Sequence, residues 1–253
     1  MGILDIIKSL ILPPEKTVVP VVEKPVEKEM VDPPIVIDNP PPKDYKTVRP
    51  MVIDLSHHNT IGSFAEVKKA GIVGTILKAT QGVSYTDSKF SVNRNSALDN
   101  GLIIGAYHFG DGSNVVSQVD RFLKVVNYDG KTLLALDFEK NPTGSTMGLE
   151  QAREFLRLVA EKTGQKPVLY GGALIKQKLG VKKKDVFFGG HRLWLSQYGP
   201  RAVVPAAWDN YWLWQFTDGA VGPQPHRING IVGHVDINSF PGTADQLRKE
   251  WVM

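Results

Sequence analysis

The 253-residue chain has no cysteine, which excludes disulfides and thiolate metal sites. It has no apolar run near the roughly 18 residues that a bilayer span requires. HExxH, a Walker loop and a dinucleotide-binding glycine pattern are also missing, so neither a cofactor nor a metal is expected. The opening MGILDIIKSLIL is a poor secretory signal, because Asp5 interrupts it and neither a basic start nor a small-residue cleavage site accompanies it. It fails the myristoylation pattern as well, with Ile6 where Ser or Thr is required.

Proline, by contrast, is crowded into one end. Residues 1–50 hold ten of the 17 prolines, with seven Lys/Arg against eight Asp/Glu. The remaining 203 residues hold 23 Lys/Arg against 18 Asp/Glu, so the positive charge belongs there, and it fits weak attraction to polyanions without specifying one. Residues 13–50 read as an extended, polyproline-like arm. In residues 1–12, Ile3, Ile6, Ile7 and Leu10 fall on one helical face. A helix that short is marginal alone in water, so anchoring on a protein partner is expected ahead of membrane attachment or a frayed tail.

From Met51 to Met253 short β-branched runs alternate with helical segments. Strands are predicted at 51–56, 73–79, 102–109, 133–139, 167–171, 193–198, 211–216 and 233–238. Helical patterns lie at 64–70, 87–100, 115–126 and 149–163, and Gly71, Gly101 and Gly164 follow three of them as stop signals. The alternation argues for an α/β fold, a parallel (β/α) barrel. Connections after about residue 171 look short and irregular, so the late helices are expected to be reduced.

The stretch LLALDFE at 133–139 carries the chemistry. Its apolar run ends in Asp137 and Glu139, two apart and so on one strand face, roughly 6.5–7 Å from each other. That is close to the carboxyl separations of glycosidases. Asp54 lies in the first predicted strand, and Asp236 with Asn238 ends the eighth. In a barrel these strand ends converge on one face, bringing acids from three strands into one cleft. Tyr107, Tyr170, Trp194, Tyr198, Trp212 and Trp214 gather at the same ends, with Trp212 and Trp214 predicted on one face. Aromatic walls beside carboxylates suit sugar rings, although each is equally a candidate core residue. His57 and His58 are adjacent and would face opposite ways on a strand, so they cannot chelate together. His108 is read as a hydrogen-bonding residue, and Lys182–Lys184 as a solvated surface rather than a nucleic-acid site.

With VIDLSHHN, ILKATQGVSYTDSKFSVNRNSALDNGLIIGAYHF, LALDFE, PVLYG, LWLSQY, LWQF and VDIN, residues 51–240 resemble glycoside hydrolase family 25, the lysozymes of bacteria, fungi and phages. One departure is Gln81, where the resemblance leads one to expect an acid after Lys-Ala-Thr. The resemblance implies an irregular barrel that cleaves the β-1,4 bond from N-acetylmuramic acid to N-acetylglucosamine in peptidoglycan. It implies Glu139 as general acid, Asp137 as its partner, and Asp54 and Asp236 as the other acids. Tyr107, Tyr170, Trp194, Tyr198, Trp214, Gln215 and Asn238 would bind substrate. Asp137 would either attack the anomeric carbon or orient the substrate's own acetamido group, and both routes retain configuration. The D-x-E pair resembles the substrate-assisted chitinases, whose D-x-D-x-E would need an acid at Ala135. An arm without a signal peptide implies a phage enzyme, mounted on the virion or held in the host cytoplasm before release. The alternative is a barrel that binds peptidoglycan, or builds a virion, without catalysis.

Overall fold

The computed structural model describes residues 48–180 and 184–253. The expected anchor helix at 1–12, the arm up to residue 47, and Lys182 and Lys183 lie outside the described residues. The chain runs through β1 (Pro50–Leu55), β2 (Thr60–Ile61), α1 (Phe64–Lys69), β3 (Gly74–Gln81), β4 (Tyr85–Thr86) and α2 (Phe90–Asp99). Then come β5 (Ile103–Phe109), α3 (Val115–Val126), β6 (Leu133–Asp137), α4 (Leu149–Thr163), β7 (Val168–Gly171), α5 (Ala173–Leu179) and α6 (Val186–Gly189). The last elements are β8 (Leu193–Ser196), β9 (Leu213–Thr217), β10 (Ile231–Val232), β11 (Asp236–Ser239) and α7 (Ala244–Glu250).

Strands pair in the order β1-β11-β9-β8-β7-β6-β5-β3, and β3 pairs back onto β1, closing an eight-stranded barrel with β4 as an appendage. Alternation along each strand divides the core in two. On β6, Leu133 and Ala135 join the interior cluster with Ile76, Val168 and Trp194. Leu134, Leu136 and Phe138 join the outer cluster with Phe122 of α3 and Phe155 of α4. Both faces are covered, which is why this strand reads as an unbroken apolar run.

Helix α3 shows the local logic. Val115, Val119, Phe122 and Val126 form its buried stripe. The Asn114 side chain accepts the Ser117 N–H at its start, and Asn127 ends it with a left-handed φ of 48°.

Two expectations need correction. The barrel is not all-parallel: β11 runs antiparallel to both β1 and β9. An antiparallel neighbour needs no crossover helix, and residues 218–230 supply none. Among the described residues the late connections are reduced as expected, with only the short α5 and α6 between β7 and β8 and no helix from β8 to β11. The acid-bearing strand also stops at Asp137, so Glu139 stands just past the ladder. The Phe138 N–H still donates to the Tyr170 carbonyl at 2.9 Å, keeping the extension in line.

Candidate active site

Reversal of β11 places the beginning of that strand, not its end, at the barrel mouth. Asp236 therefore opens β11 opposite Asp54 of β1, as its Cα partner. Asp137 ends β6, with Glu139 two residues on. The mouth thus collects Asp54, Asp137, Glu139 and Asp236, whose charges act on one another.

Asp54 is the hub of the hydrogen bonding. Its Oδ2 accepts from Gln215 Nε2 at 2.9 Å and from Asn238 Nδ2 at 2.8 Å. Each amide is itself oriented. Gln215 Oε1 accepts the hydroxyls of Tyr170 at 2.7 Å and Tyr198 at 3.0 Å, and Asn238 Oδ1 accepts the Trp194 indole N–H at 2.6 Å. With their oxygens occupied by donors, both amides must turn their NH₂ groups to Asp54. Tyr170, Trp194, Gln215 and Asn238 are nearly or fully buried. They thus form the floor of the mouth, while Tyr198 is exposed at its rim.

Burial sets the protonation pattern. It pushes Asp236 up to about 10, with the Asp54 charge and their mutual hydrogen bond adding to the rise. Burial also raises Asp54, but the bonds from Asn238, Gln215 and Asp236 oppose it. Glu139 rises to about 7, by burial first and Asp54 second. Asp137 is driven well above the usual carboxylate range by burial and then by Glu139, against the pull of Lys78. Its buried Oδ1 has no hydrogen-bond partner among the described residues.

The aromatics separate into two groups. Trp194 packs against Tyr170 at 4.4 Å between ring centroids and meets Tyr107 edge-on at 6.4 Å, inside the barrel. Trp214 is not brought to this group: it is fully buried in the outer cluster, with its indole donating to the Gln197 carbonyl at 2.7 Å. Nor does Trp212 share its face. Trp212 precedes β9 and packs in the interior cluster against Phe240 and Trp251.

Sequence reasoning missed two supports, at Lys78 and His57, while His108 is hydrogen-bonded as expected. Lys78 lies on an inward position of β3, and a lysine in GTILKATQ was the available signal. The His57 ring and backbone N–H both bond to Asp87 Oδ2 at 2.9 Å. His57 and His58 follow β1 in a turn, so strand alternation does not apply, and their ring centroids are 3.8 Å apart. His108 lies between Thr80 Oγ1 at 2.8 Å and Gln118 Oε1 at 2.9 Å. Gln118 also bonds the backbone of Asp111, which bridges to Thr146. That chain of contacts braces the loop beyond Glu139.

A close approach completes the support. A Cβ on Gly171 would lie 2.7 Å from the Phe138 carbonyl oxygen, so glycine lets β7 pack against the segment that carries Glu139.

Comparison with known proteins identifies the family and the fold. The family model described as "Glycosyl hydrolases family 25" matches residues 53–224. Lysozyme M1 of Streptomyces globisporus is 31% identical over 214 residues, covering 77% of this chain and 69% of its own. The N,O-diacetylmuramidase of Chalaropsis sp. is 27% identical over 201 residues, covering 72% and 95%. The crystal structure of a bacterial lysozyme from Streptomyces coelicolor superimposes with a TM-score of 0.71 at 29% identity, covering 81% of this chain and 98% of that one.

Proposed function

The chain belongs to glycoside hydrolase family 25 and is a lysozyme-type glycosidase of peptidoglycan; from that premise we propose a retaining cleavage in which Glu139 and Asp137 carry the chemistry. Glu139, with a value of about 7, holds a proton in a good fraction of molecules near neutrality. It gives that proton to the glycosidic oxygen as the bond from C1 of N-acetylmuramic acid breaks. The free Oδ1 of Asp137 is the single observation that carries the next step. A buried acceptor without a donor matches the N–H of the substrate's 2-acetamido group. Held there, the acetamido carbonyl oxygen bonds to C1 from the opposite face. Water then attacks C1, opens that ring and returns a proton to Glu139, so the configuration is retained. Direct attack by Asp137 would also retain, but it gives the acetamido N–H no partner.

Asp54 and Asp236 act around this pair. Asp54 holds negative charge beside Glu139 and so helps it keep its proton. Tyr107, Tyr198 and the floor beneath them shape the sugar site. Digestion of purified peptidoglycan by wild type and Glu139→Gln, with mass analysis, tests the reading. Muropeptides ending in reducing N-acetylmuramic acid, lost in the variant, are expected, with NMR of the first product giving the anomer that retention requires. A folded wild type that cuts no wall preparation would leave a binding or structural protein.

The arm supports a second part of the reading, mounting on a phage virion or another protein. A helix over residues 1–12, ahead of the arm, would set Ile3, Ile6, Ile7 and Leu10 on one face and would need a partner surface for them. Co-sedimentation with virions by the full chain, lost on deletion of residues 1–50, is the expected result. Equal behaviour of the two forms would remove this part while leaving the enzyme untouched.

A further inference from the structure

Lys78 faces the barrel interior. Ile76, two residues earlier, belongs to the interior cluster, whereas Leu77 and Ala79 belong to the outer one. Asp137 faces the same way by the same alternation, since Ala135 is interior and Leu136 and Phe138 are outer. The strands that carry them are separated by β5 alone, where Tyr107 pairs with both Lys78 and Ala135. The Lys78 ammonium is half-buried, 5.1 Å from the Phe109 ring centroid and 5.6 Å from that of Tyr85. It donates to Gln81 Oε1 at 2.7 Å. That partner is a neutral amide, so the bond leaves the lysine charge intact.

The carboxylates acting on Lys78 are Asp137 and Asp87. Asp87 already accepts from the His57 ring and backbone and from the Lys89 backbone. Asp137 has a free oxygen. We propose that Lys78 is a positioning residue that supplies the counter-charge to Asp137, and that glutamine at position 81 is what leaves that charge available. This rests on the reading of Asp137 as the group that must be anionic to hold the acetamido N–H.

The surroundings fix the sign. Burial, Glu139 and Asp54 all press Asp137 toward its protonated form, and Lys78 opposes them. The hydroxyls of Tyr107 and Tyr170 also feel the Asp137 charge, but they are buried and pushed well above the usual phenol range, so they stay neutral. Tyr85 beside Lys78 is likewise raised, by burial and then by Asp87. Removing the lysine, or giving it a carboxylate at 81, therefore raises the pH below which Asp137 is lost as an anion.

The test is kcat/KM against pH for wild type, Lys78→Met, Lys78→Arg and Gln81→Glu, together with NMR titration of the carboxyl carbons, Asp137 being assigned through Asp137→Asn. Lys78→Met and Gln81→Glu should move the acidic limb upward by about one pH unit, a tenfold loss below the limb. Lys78→Arg should keep the wild-type limb. A loss uniform across pH in Lys78→Met, or an unmoved limb in Gln81→Glu, overturns the proposal. If wild type cleaves nothing, the muramidase reading fails, yet the Asp137 titration still reports the lysine; an unshifted titration in Lys78→Met sinks this inference alone.

Discussion

Asp54 and Asp236 are Cα partners across the antiparallel pair of β1 and β11, and their carboxyls share a hydrogen bond. Burial first, and then the Asp54 charge, hold Asp236 up at about 10. Asp54 then accepts from three side chains, Gln215, Asn238 and Asp236. Those donors favour the charged form and oppose the burial that raises Asp54. The charge in turn is what Glu139 feels.

The first prediction concerns the alkaline limb of activity. Glu139 works as an acid only while protonated, so kcat/KM should fall as pH rises through about 7. Asp54→Asn removes the second-largest cause of that elevated value and should move the limb to lower pH. The pH dependence of turbidity loss in a wall suspension measures both. A limb unchanged in Asp54→Asn would separate the two residues electrostatically.

Glu139→Gln should be inactive and yet more stable. A general acid contributes typically 10²–10⁴-fold, so activity should fall by about that factor. The folded value of about 7 lies above the ordinary 4.5, so the native state binds more protons than the unfolded one between those values. Stability from this group is full below the lower value and is lost as pH rises through the upper one. The loss approaches about 3 kcal/mol. Urea unfolding of wild type and variant should therefore diverge between about pH 5 and 8, with the variant the more stable at the alkaline end.

Much of this architecture could be read from the chain, and the failures have identifiable causes. Helices α3 and α4 were legible because apolar spacing marks both, and Gly164 stands where α4 ends. LLALDFE pointed to its acids because a buried strand that ends in carboxylates breaks the apolar pattern. Strand direction leaves no such mark. VDIN has the same alternation whichever way it runs, so Asp236 was placed at the right mouth by an argument that assumed the wrong end of its strand. Trp214 shows a second limit. Alternation says that neighbours face opposite ways, but it does not say which side is the cleft.

That limit gives a prediction. Trp214→Ala removes a fully buried indole from the outer cluster and should destabilise by about 3–5 kcal/mol. Per folded molecule, KM for soluble peptidoglycan fragments should stay near wild type. Tyr198→Phe should behave in the opposite sense, with little loss of stability at an exposed rim residue and a change in KM. Thermal melts with active-site-normalised kinetics separate the two outcomes. A raised KM in folded Trp214→Ala would return that side chain to the cleft.

Gln215 offers the sharpest test of the floor, because its two ends do opposite things. Its oxygen accepts from Tyr170 and Tyr198, and its NH₂ donates to Asp54. Gln215→Leu strands the buried Tyr170 hydroxyl and takes a donor from Asp54, a loss of about 1–3 kcal/mol for a group left buried and unpaired. Gln215→Glu keeps the acceptor for the tyrosines but sets a second oxygen against Asp54 Oδ2. Those oxygens can meet only through a proton, so the new carboxyl must stay protonated or Asp54 must lose its charge. Either way the pair resists ionisation as pH rises. Gln215→Glu should therefore approach wild-type stability at about pH 4–5 and lose it toward pH 8, while Gln215→Leu loses a similar amount at every pH. Parallel urea titrations across that range decide it. If the glutamate variant shows no pH-dependent loss, Gln215 does not present its amide to a charged Asp54.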